Sequence, residues 1–175
     1  MRKIDWLDSF LMSKIDKISI FQYLDENDKK MLLKFAHYFE YDKDERIVTQ
    51  GEVSYCFYAV ISGHLNVTIN GENGKQVQIS SINEGDFFGE TGIFYDGQRT
   101  ANVSALDTAQ VLMIGRNDLF TFIRMYPKAG VNLLMLFVHG LIKKLNSSNK
   151  QLAGERKATL DKILDRIPFF EKSES

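Results

Sequence analysis

The residues best suited to chemistry lie in one short segment from Phe87 to Ala105, with the sequence FFGETGIFYDGQRTANVSA. Gly89 and Glu90 precede a short apolar run, a pattern typical of a tight turn that opens one turn of helix. The first N–H groups of such a helix have no intrahelical partner and attract anions. Arg99, later in the same segment, carries a planar fork of donors that matches a phosphate. The segment therefore predicts a phosphate site.

Glu90 is unexpected at such a site, because a carboxylate repels a phosphate. A ribose 2′-OH beside the phosphate would explain it, since a carboxylate can accept the hydrogen bond of a hydroxyl. One ligand that carries a phosphate and a ribose hydroxyl side by side would satisfy both Glu90 and Arg99. The alternatives are a helix-cap carboxylate for Glu90, and a surface ion pair of Arg99 with Asp96 or Asp107.

Residues 1–40 are predicted to be a helical segment, with two helices joined by the apolar run IFQYL. Asp25 is a suitable N-cap for the second helix, and acidic residues follow it in the first turn. The apolar positions at helical spacing are Leu7, Phe10, Leu11, Met31, Leu32, Phe35, Ala36 and Phe39.

Residues 41–125 change to short β-branched and aromatic runs separated by turn residues, a pattern typical of strands. The segment from Asn70 to Gly74 lies between two such runs and predicts a hairpin turn. Many short strands without helices between them favour a closed antiparallel sandwich or jelly roll. With helices at both ends, the predicted fold class is α+β, an antiparallel β-roll.

Residues 126–165 return to helical spacing and predict one long helix, with Pro127 in its first turn and its end near Leu164. Apolar residues recur along it in alternating steps of four and three, as in a helix that pairs with a second copy of itself. This seam, which one serine interrupts, consists of Leu134, Val138, Leu141, Leu145, Ser148 and Leu152. We therefore expect a homodimer through this helix.

The tail, residues 166–175, overlaps a stretch from Asp165 to Phe170 that is similar to the one from Asp16 to Phe21. Two explanations fit the tail equally well: the start of a truncated second domain, and a polar end behind an apolar anchor.

The composition argues against several classes of protein. With 22 basic and 23 acidic residues the net charge is −1, which does not indicate a nucleic-acid binder. Cys56 is the single cysteine, which excludes a disulfide within the chain and fits a reducing, cytoplasmic compartment. The sequence shows no signal peptide and no apolar stretch of about 20 residues that would span a membrane. His37, His64 and His139 are too scattered to predict a metal site, and no nucleophile motif occurs, so we expect no metal, no cofactor and no enzyme activity.

The order of residues in the segment closely resembles the phosphate-binding cassette of cyclic-nucleotide-binding domains, as in the catabolite-activator family and kinase regulatory subunits. The matching runs are FGETGI, from Phe88 to Ile93, and QRTANV, from Gln98 to Val103, and glycines upstream of them match as well. The resemblance extends over roughly residues 16–152. Two departures, Gln98 for the usual proline and Asn102 for the common threonine, indicate a less rigid loop.

The resemblance implies a β-roll that the cassette, residues 87–105, interrupts, and a ligand that is cAMP or, second, cGMP. The backbone N–H groups at Glu90, Thr91 and Gly92 would hold the cyclic phosphate together with Arg99, and Gly89 would form the turn before them. Glu90 would bind the ribose hydroxyl. Gly92, without a Cβ, would let the ligand approach closely.

The resemblance also implies which residues would lie near the purine base and the phosphate. Thr100 would contact the phosphate, or the guanine amino group of cGMP. Ser148 and Asn149 would close over the base from the long helix, which acts as a lid and dimer helix in this family. Val77 and Ile79 would form a wall for the base, with core packing as the alternative.

The predicted function is a cyclic-nucleotide-binding regulatory domain that signals through movement of the long helix. Too few residues follow Leu164 for a DNA-binding helix-turn-helix, so we expect none in this chain. The output partner is open. The alternatives are a degenerate scaffold for dimerisation or interaction, and a sensor of haem, an organic acid or a cyclic dinucleotide.

Overall fold

The computed structural model describes residues 1–4, 13–22, 24–71, 73–95 and 97–164. The chain divides into two units, Met1–Phe137 and Val138–Ser175. The strands that the structure describes lie in the first unit, and the second unit begins within the long C-terminal helix.

In the described part of the chain, nine strands form two sheets in which every pairing is antiparallel. The five-stranded sheet has the order β1-β2-β9-β4-β7 and the four-stranded sheet the order β3-β8-β5-β6. The strands are β1 (Arg2–Lys3), β2 (His37–Tyr41), β3 (Arg46–Val48), β4 (Cys56–Ser62), β5 (Leu65–Asn70), β6 (Gln76–Ile82), β7 (Phe87–Phe88), β8 (Asn102–Ala105) and β9 (Ala109–Gly115). This architecture confirms the predicted α+β class and the β-roll.

The helices lie before, within and after the strands. They are α1 (Glu26–Leu33), α2 (Glu90–Phe94), α3 (Arg116–Met125) and α4 (Pro127–Leu164), and a 3₁₀ turn covers Ser19–Phe21. Asp25 caps α1 as expected, since its carboxylate accepts a hydrogen bond of 2.8 Å from the N–H of Asp28. The long helix predicted from Pro127 to about Leu164 is α4.

Two parts of the predicted boundaries are wrong. Strands β1 and the first part of β2 fall within residues 1–40, where helices were expected. Phe39, assigned to a helical face, instead pairs with Val111 of β9, because pairing between distant strands overrides the local apolar spacing. Helix α3 likewise falls within residues 41–125. Leu7, Phe10, Leu11 and the tail lie outside the described residues.

The five-stranded sheet is buried on both faces. Along β4, Phe57 and Ala59 belong to a cluster shared with helical residues such as Phe122, whereas Tyr58 and Val60 belong to a second cluster shared with the other sheet. Successive strand residues point to opposite faces, so a continuous apolar strand is required here. The first unit is therefore layered as helices, five-stranded sheet and four-stranded sheet, and the chain leaves this core directly after β7.

Candidate functional site

The cassette starts with a left-handed turn. Gly89 follows β7 with φ +81°, a conformation that costs glycine little and other residues more. The chain then forms α2, in which the N–H of Gly92 donates to the oxygen of Gly89 at 3.1 Å and that of Tyr95 to the oxygen of Thr91 at 2.9 Å. Backbone hydrogen bonds thus close the first turn of the short helix and join Thr91 to Tyr95 just beyond its last residue.

Arg99 lies beneath this turn and only 5% of it is exposed. Its Nη1 donates to the oxygen of Gly89 at 3.0 Å. Its Nη2 contacts the Ser54 hydroxyl at 3.0 Å, the oxygen of Cys56 at 2.8 Å and the Cys56 sulfur at 3.2 Å. The acceptors in these bonds are carbonyl, hydroxyl and sulfur atoms, so these bonds position the guanidinium without neutralising its charge.

The two cassette glycines make room for this guanidinium. A Cβ at Gly89 would lie 2.6 Å from Nη1 of Arg99, and a Cβ at Gly92 would lie 2.5 Å from the oxygen of Ser54 and 3.0 Å from the same Nη1. Gly92 therefore makes room for Arg99 and for the oxygen of Ser54, and its expected role in letting a ligand approach stays a prediction. Protein atoms occupy that space, because Arg99 folds inward between β4 and α2.

Tyr58 provides the floor below Arg99. The Arg99 guanidinium carbon lies 5.7 Å from the centre of the Tyr58 ring, which stacks on Phe88 with centroids 5.0 Å apart. Burial raises the pKa of the Tyr58 phenol, the neighbouring Cys56 raises it further, and the charge of Arg99 opposes the shift. The phenol is therefore neutral at physiological pH and does not cancel the positive charge of Arg99.

A pocket of about 340 Å³ opens beside Arg99. The predicted site residues among its lining are Thr91, Arg99 and Thr100. Within the part of the chain that the structure describes, Nε of Arg99 is a buried donor without a hydrogen-bond partner. A cationic side chain with an unused donor therefore stands at a pocket that two threonines also line.

The other lining residues, Gln50, Gly51, Tyr95 and Gln98, were not predicted. Gly51, one of the upstream glycines that match the family pattern, reaches the pocket because its N–H donates to the oxygen of Arg99 at 2.9 Å. This contact links positions far apart in the chain, so no local pattern marks it.

Asn102 anchors the Gln50 side of the pocket. Its Oδ1 accepts from the N–H of Gln50 at 3.0 Å, and its Nδ2 donates to Oδ1 of Asn70 at 3.0 Å. The Gln50 amide oxygen in turn accepts from the N–H of Asn70 at 2.7 Å. The asparagine, expected to loosen the loop, is thus bonded at both ends of its amide and fixes this wall.

The remaining predicted residues lie outside that pocket lining. Glu90 is the first residue of α2, next to the pocket, and is 6% exposed. Val77 and Ile79 lie on β6, the edge strand of the four-stranded sheet, and are 51% and 44% exposed. Ser148 and Asn149 are exposed on α4 in the second unit.

Two further features are absent from the described residues, a metal-binding cluster and a membrane-spanning helix. No group of three or more histidine, cysteine, aspartate or glutamate side chains is arranged there to hold a metal ion. Nor does any helix among them have the length and apolar character needed to cross a membrane.

Comparison with known proteins shows which family the chain belongs to. The family model of the cyclic nucleotide-binding domain matches residues 38–126. The chain belongs to this family. The matched range contains β2 from Tyr38 onward, β3 to β9, α2, α3 and the whole cassette.

Two curated relatives and one solved structure illustrate the family. The cAMP-activated global transcriptional regulator CRP of Escherichia coli is 33% identical over 96 residues, 54% of this chain and 46% of its own length. The cGMP-dependent protein kinase of Caenorhabditis elegans is 37% identical over 99 residues, 55% of this chain and 13% of its own length. A cyclic nucleotide-binding domain from Methylobacillus flagellatus superposes with a TM-score of 0.78, at 17% identity and with 88% of both chains covered.

The identities and covered lengths define how much this chain shares with these proteins. The chain spans about half the length of the bacterial regulators that it matches and a smaller part of the kinase. At 17% identity, the likeness to the solved domain concerns the fold alone.

Proposed function

We propose that this domain is a sensor of cyclic mononucleotides, with cAMP preferred over cGMP, and that it regulates rather than catalyses. The observation that carries the proposal is the pocket of about 340 Å³ beside buried Arg99, whose Nε has no hydrogen-bond partner among the described residues. A phosphate oxygen is the acceptor that such a cationic donor prefers.

The phosphate would be held by Arg99 and by the start of α2. The N–H groups of Glu90 and Thr91 lie in the first turn of that helix, where intrahelical acceptors are missing. The N–H of Gly92 already donates to Gly89, so its role is to close the turn that presents the other two. The Thr100 hydroxyl, in the pocket lining, would donate to the phosphate or accept from a guanine amino group.

The ribose and the base would use residues outside this pocket lining. Glu90, buried at the first position of α2, would accept the hydrogen bond of the ribose 2′-OH. Val77 and Ile79 are exposed apolar side chains on a strand, which favours a role as a wall for the base. Ser148 and Asn149 of α4 would contribute polar contacts to the purine.

Ligand binding would be transmitted to α4. The ring of Phe94, the last residue of α2, packs edge-on against Phe137 of α4 with centroids 5.3 Å apart. Phe137 also contacts Phe57 and Phe87, at 5.0 and 5.5 Å, in the five-stranded sheet. A displacement of α2 would therefore change the packing of Phe137, and the ligand would shift α4 between two conformations.

The same helix would form a homodimer. Apolar side chains that remain exposed on α4 supply the contact surface: Val131, Met135, Val138, Leu141, Ile142, Leu145 and Leu152. Burying such side chains against a second copy removes apolar area from water, which favours association.

Isothermal calorimetry with cAMP, cGMP and 5′-AMP tests the proposal, and 5′-AMP is the matched ligand because it has the same base with an open phosphate. We expect micromolar or tighter binding of cAMP, weaker binding of cGMP and much weaker binding of 5′-AMP. Arg99→Lys keeps the charge, but one ammonium group cannot replace the fork of donors. Loss of a charge-assisted hydrogen bond of about 1.5–3 kcal/mol predicts affinity lower by about 10- to 150-fold.

Arg124→Lys is the matched control, because Arg124 lies on α3 and its hydrogen bond among the described residues goes to the Thr121 hydroxyl of the same helix, at 3.3 Å. It should bind cAMP as the wild type does. Absence of heat and of thermal stabilisation with both cyclic nucleotides would reject the sensor and leave a scaffold or a different ligand. Equal affinities of the Arg99→Lys and wild-type proteins would reject the role assigned to Arg99.

A further inference from the structure

A second arginine holds the other end of the cassette helix. Arg116 is the first residue of α3, and its Nη2 donates to the oxygens of Gly92 at 2.9 Å and Tyr95 at 2.6 Å. The last carbonyls of a helix have no intrahelical donor, so a cation suits this end. Arg116 therefore supplies bonds that α2 cannot make for itself.

Tyr55 fixes Arg116 in this position. The guanidinium carbon of Arg116 lies 4.3 Å from the centre of the Tyr55 ring, and the Arg116 N–H donates to the oxygen of Tyr55 at 2.7 Å. On the cassette loop, a Cβ at Gly97 would lie 2.3 Å from Cε1 of Tyr55, so the loop packs closely against the ring. The side chain is thus held by stacking as well as by its hydrogen bonds.

We propose that Arg116 is a positioning residue that couples the cassette helix to α3, so that ligand binding at α2 orders the first turn of α3. The inference rests on the proposed function for its ligand, whereas the contact itself is present without one. Neither Arg116 nor Tyr55 lines the pocket beside Arg99, so the role concerns transmission rather than contact with the phosphate.

The coupling continues from α3 into α4. The N–H of Tyr126, between the two helices, donates to the oxygen of Phe122 at 2.8 Å, and the N–H of Gly130 donates to the oxygen of Tyr126 at 2.8 Å. The backbone is therefore hydrogen-bonded across the junction. A shift of α2 that moves Arg116 moves the start of a connected helical pair, by a route separate from the contact between Phe94 and Phe137.

Amide hydrogen exchange followed by NMR tests this, in the full chain, with Arg116→Lys and the matched Arg124→Lys on the same helix. Without ligand, we expect the amide of Tyr95 to exchange on the order of tenfold faster in Arg116→Lys than in the wild type. The reason is that the oxygens of Gly92 and Tyr95, at the end of α2, lose the guanidinium donor of Arg116. Arg124→Lys should exchange at the wild-type rate. With saturating cAMP, exchange should slow in α2 and the first turn of α3 in the wild type, but only in α2 in Arg116→Lys.

Equal exchange in the ligand-free Arg116→Lys and wild-type proteins would overturn the inference, as would undiminished slowing in α3 of the liganded variant. If the wild type binds neither cyclic nucleotide in calorimetry, the proposed function fails, and the ligand-free comparison still decides whether Arg116 holds α2. If Arg116→Lys does not unfold cooperatively, Tyr55→Leu replaces it, since it removes the stacking ring and leaves the donors of Arg116 in place. The same rise in Tyr95 exchange is then expected, and wild-type exchange would overturn the inference.

Discussion

Replacing Arg99 by alanine should destabilise the protein even when no ligand is present, because its side chain supports the cassette from below. The Cys56 oxygen accepts from Nη2 at 2.8 Å, and a buried carbonyl left without a donor costs about 1–3 kcal/mol. Loss of the cation above the Tyr58 ring adds about 0.5–1 kcal/mol. The oxygen of Gly89 keeps the N–H of Gly92 as a donor and adds little.

The expected loss in the free energy of unfolding is therefore about 1.5–4 kcal/mol. For a chain of this size each kcal/mol lowers the melting temperature by about 2–4 °C, so a decrease of roughly 3–16 °C is expected. Urea and thermal unfolding of the ligand-free protein measure it, with Arg124→Ala as the control, since the hydrogen bond of Arg124 among the described residues stays within α3. A loss below about 0.5 kcal/mol, the usual range for surface substitutions, would refute the structural role of Arg99.

Three further changes test other parts of the molecule. Gly97→Ala should destabilise the protein more than Gly74→Ala, since both positions have positive φ but only at Gly97 would the Cβ meet another side chain, at 2.3 Å; equal losses in urea unfolding would contradict the clash. Leu145→Glu, at a side chain that is 61% exposed, should convert the proposed dimer into a monomer in light scattering, whereas Asn146→Glu should not; a dimeric Leu145→Glu protein would rule out this seam. Because burial raises the folded-state pKa of Tyr58 above its ordinary value of 10.0, its contribution to stability is present below that pH and lost above it. When the pH is raised from about 9 to about 11, the free energy of unfolding of Tyr58→Phe, measured by urea unfolding, should therefore fall less than that of the wild type. An identical fall in the two proteins would argue against the buried phenol.

Most of the fold could be predicted from local patterns. Asp25 and the residues after it form a capped helix, and Pro127 begins a long helix at the predicted position, because caps and prolines act within one turn of chain. The strands were recognisable because alternation and β-branched residues reflect burial on a pleated sheet. Strand β2 was missed at its start, since His37 is paired with Met113 across a large separation in sequence.

Some features of the candidate site could likewise be predicted from the sequence, and others could not. The order of Gly89, Glu90 and Arg99 identified the cassette, because a left-handed turn, a short helix and a cationic side chain are local requirements. Sequence reasoning did not find the inward position of Arg99 or the role of Arg116 at the end of α2. Both depend on carbonyl oxygens supplied by other parts of the chain.

The sequence by itself determined the class of fold, the cassette and the long helix, because turn geometry, capping and apolar periodicity are properties of neighbouring residues. Only the tertiary structure decided what the cassette glycines make room for and which donor of Arg99 is left without a partner. It also decided that Gln50 and Gly51 line the pocket. The physical reason is that close packing and hydrogen-bond satisfaction depend on atoms brought together from distant positions, which no local pattern specifies.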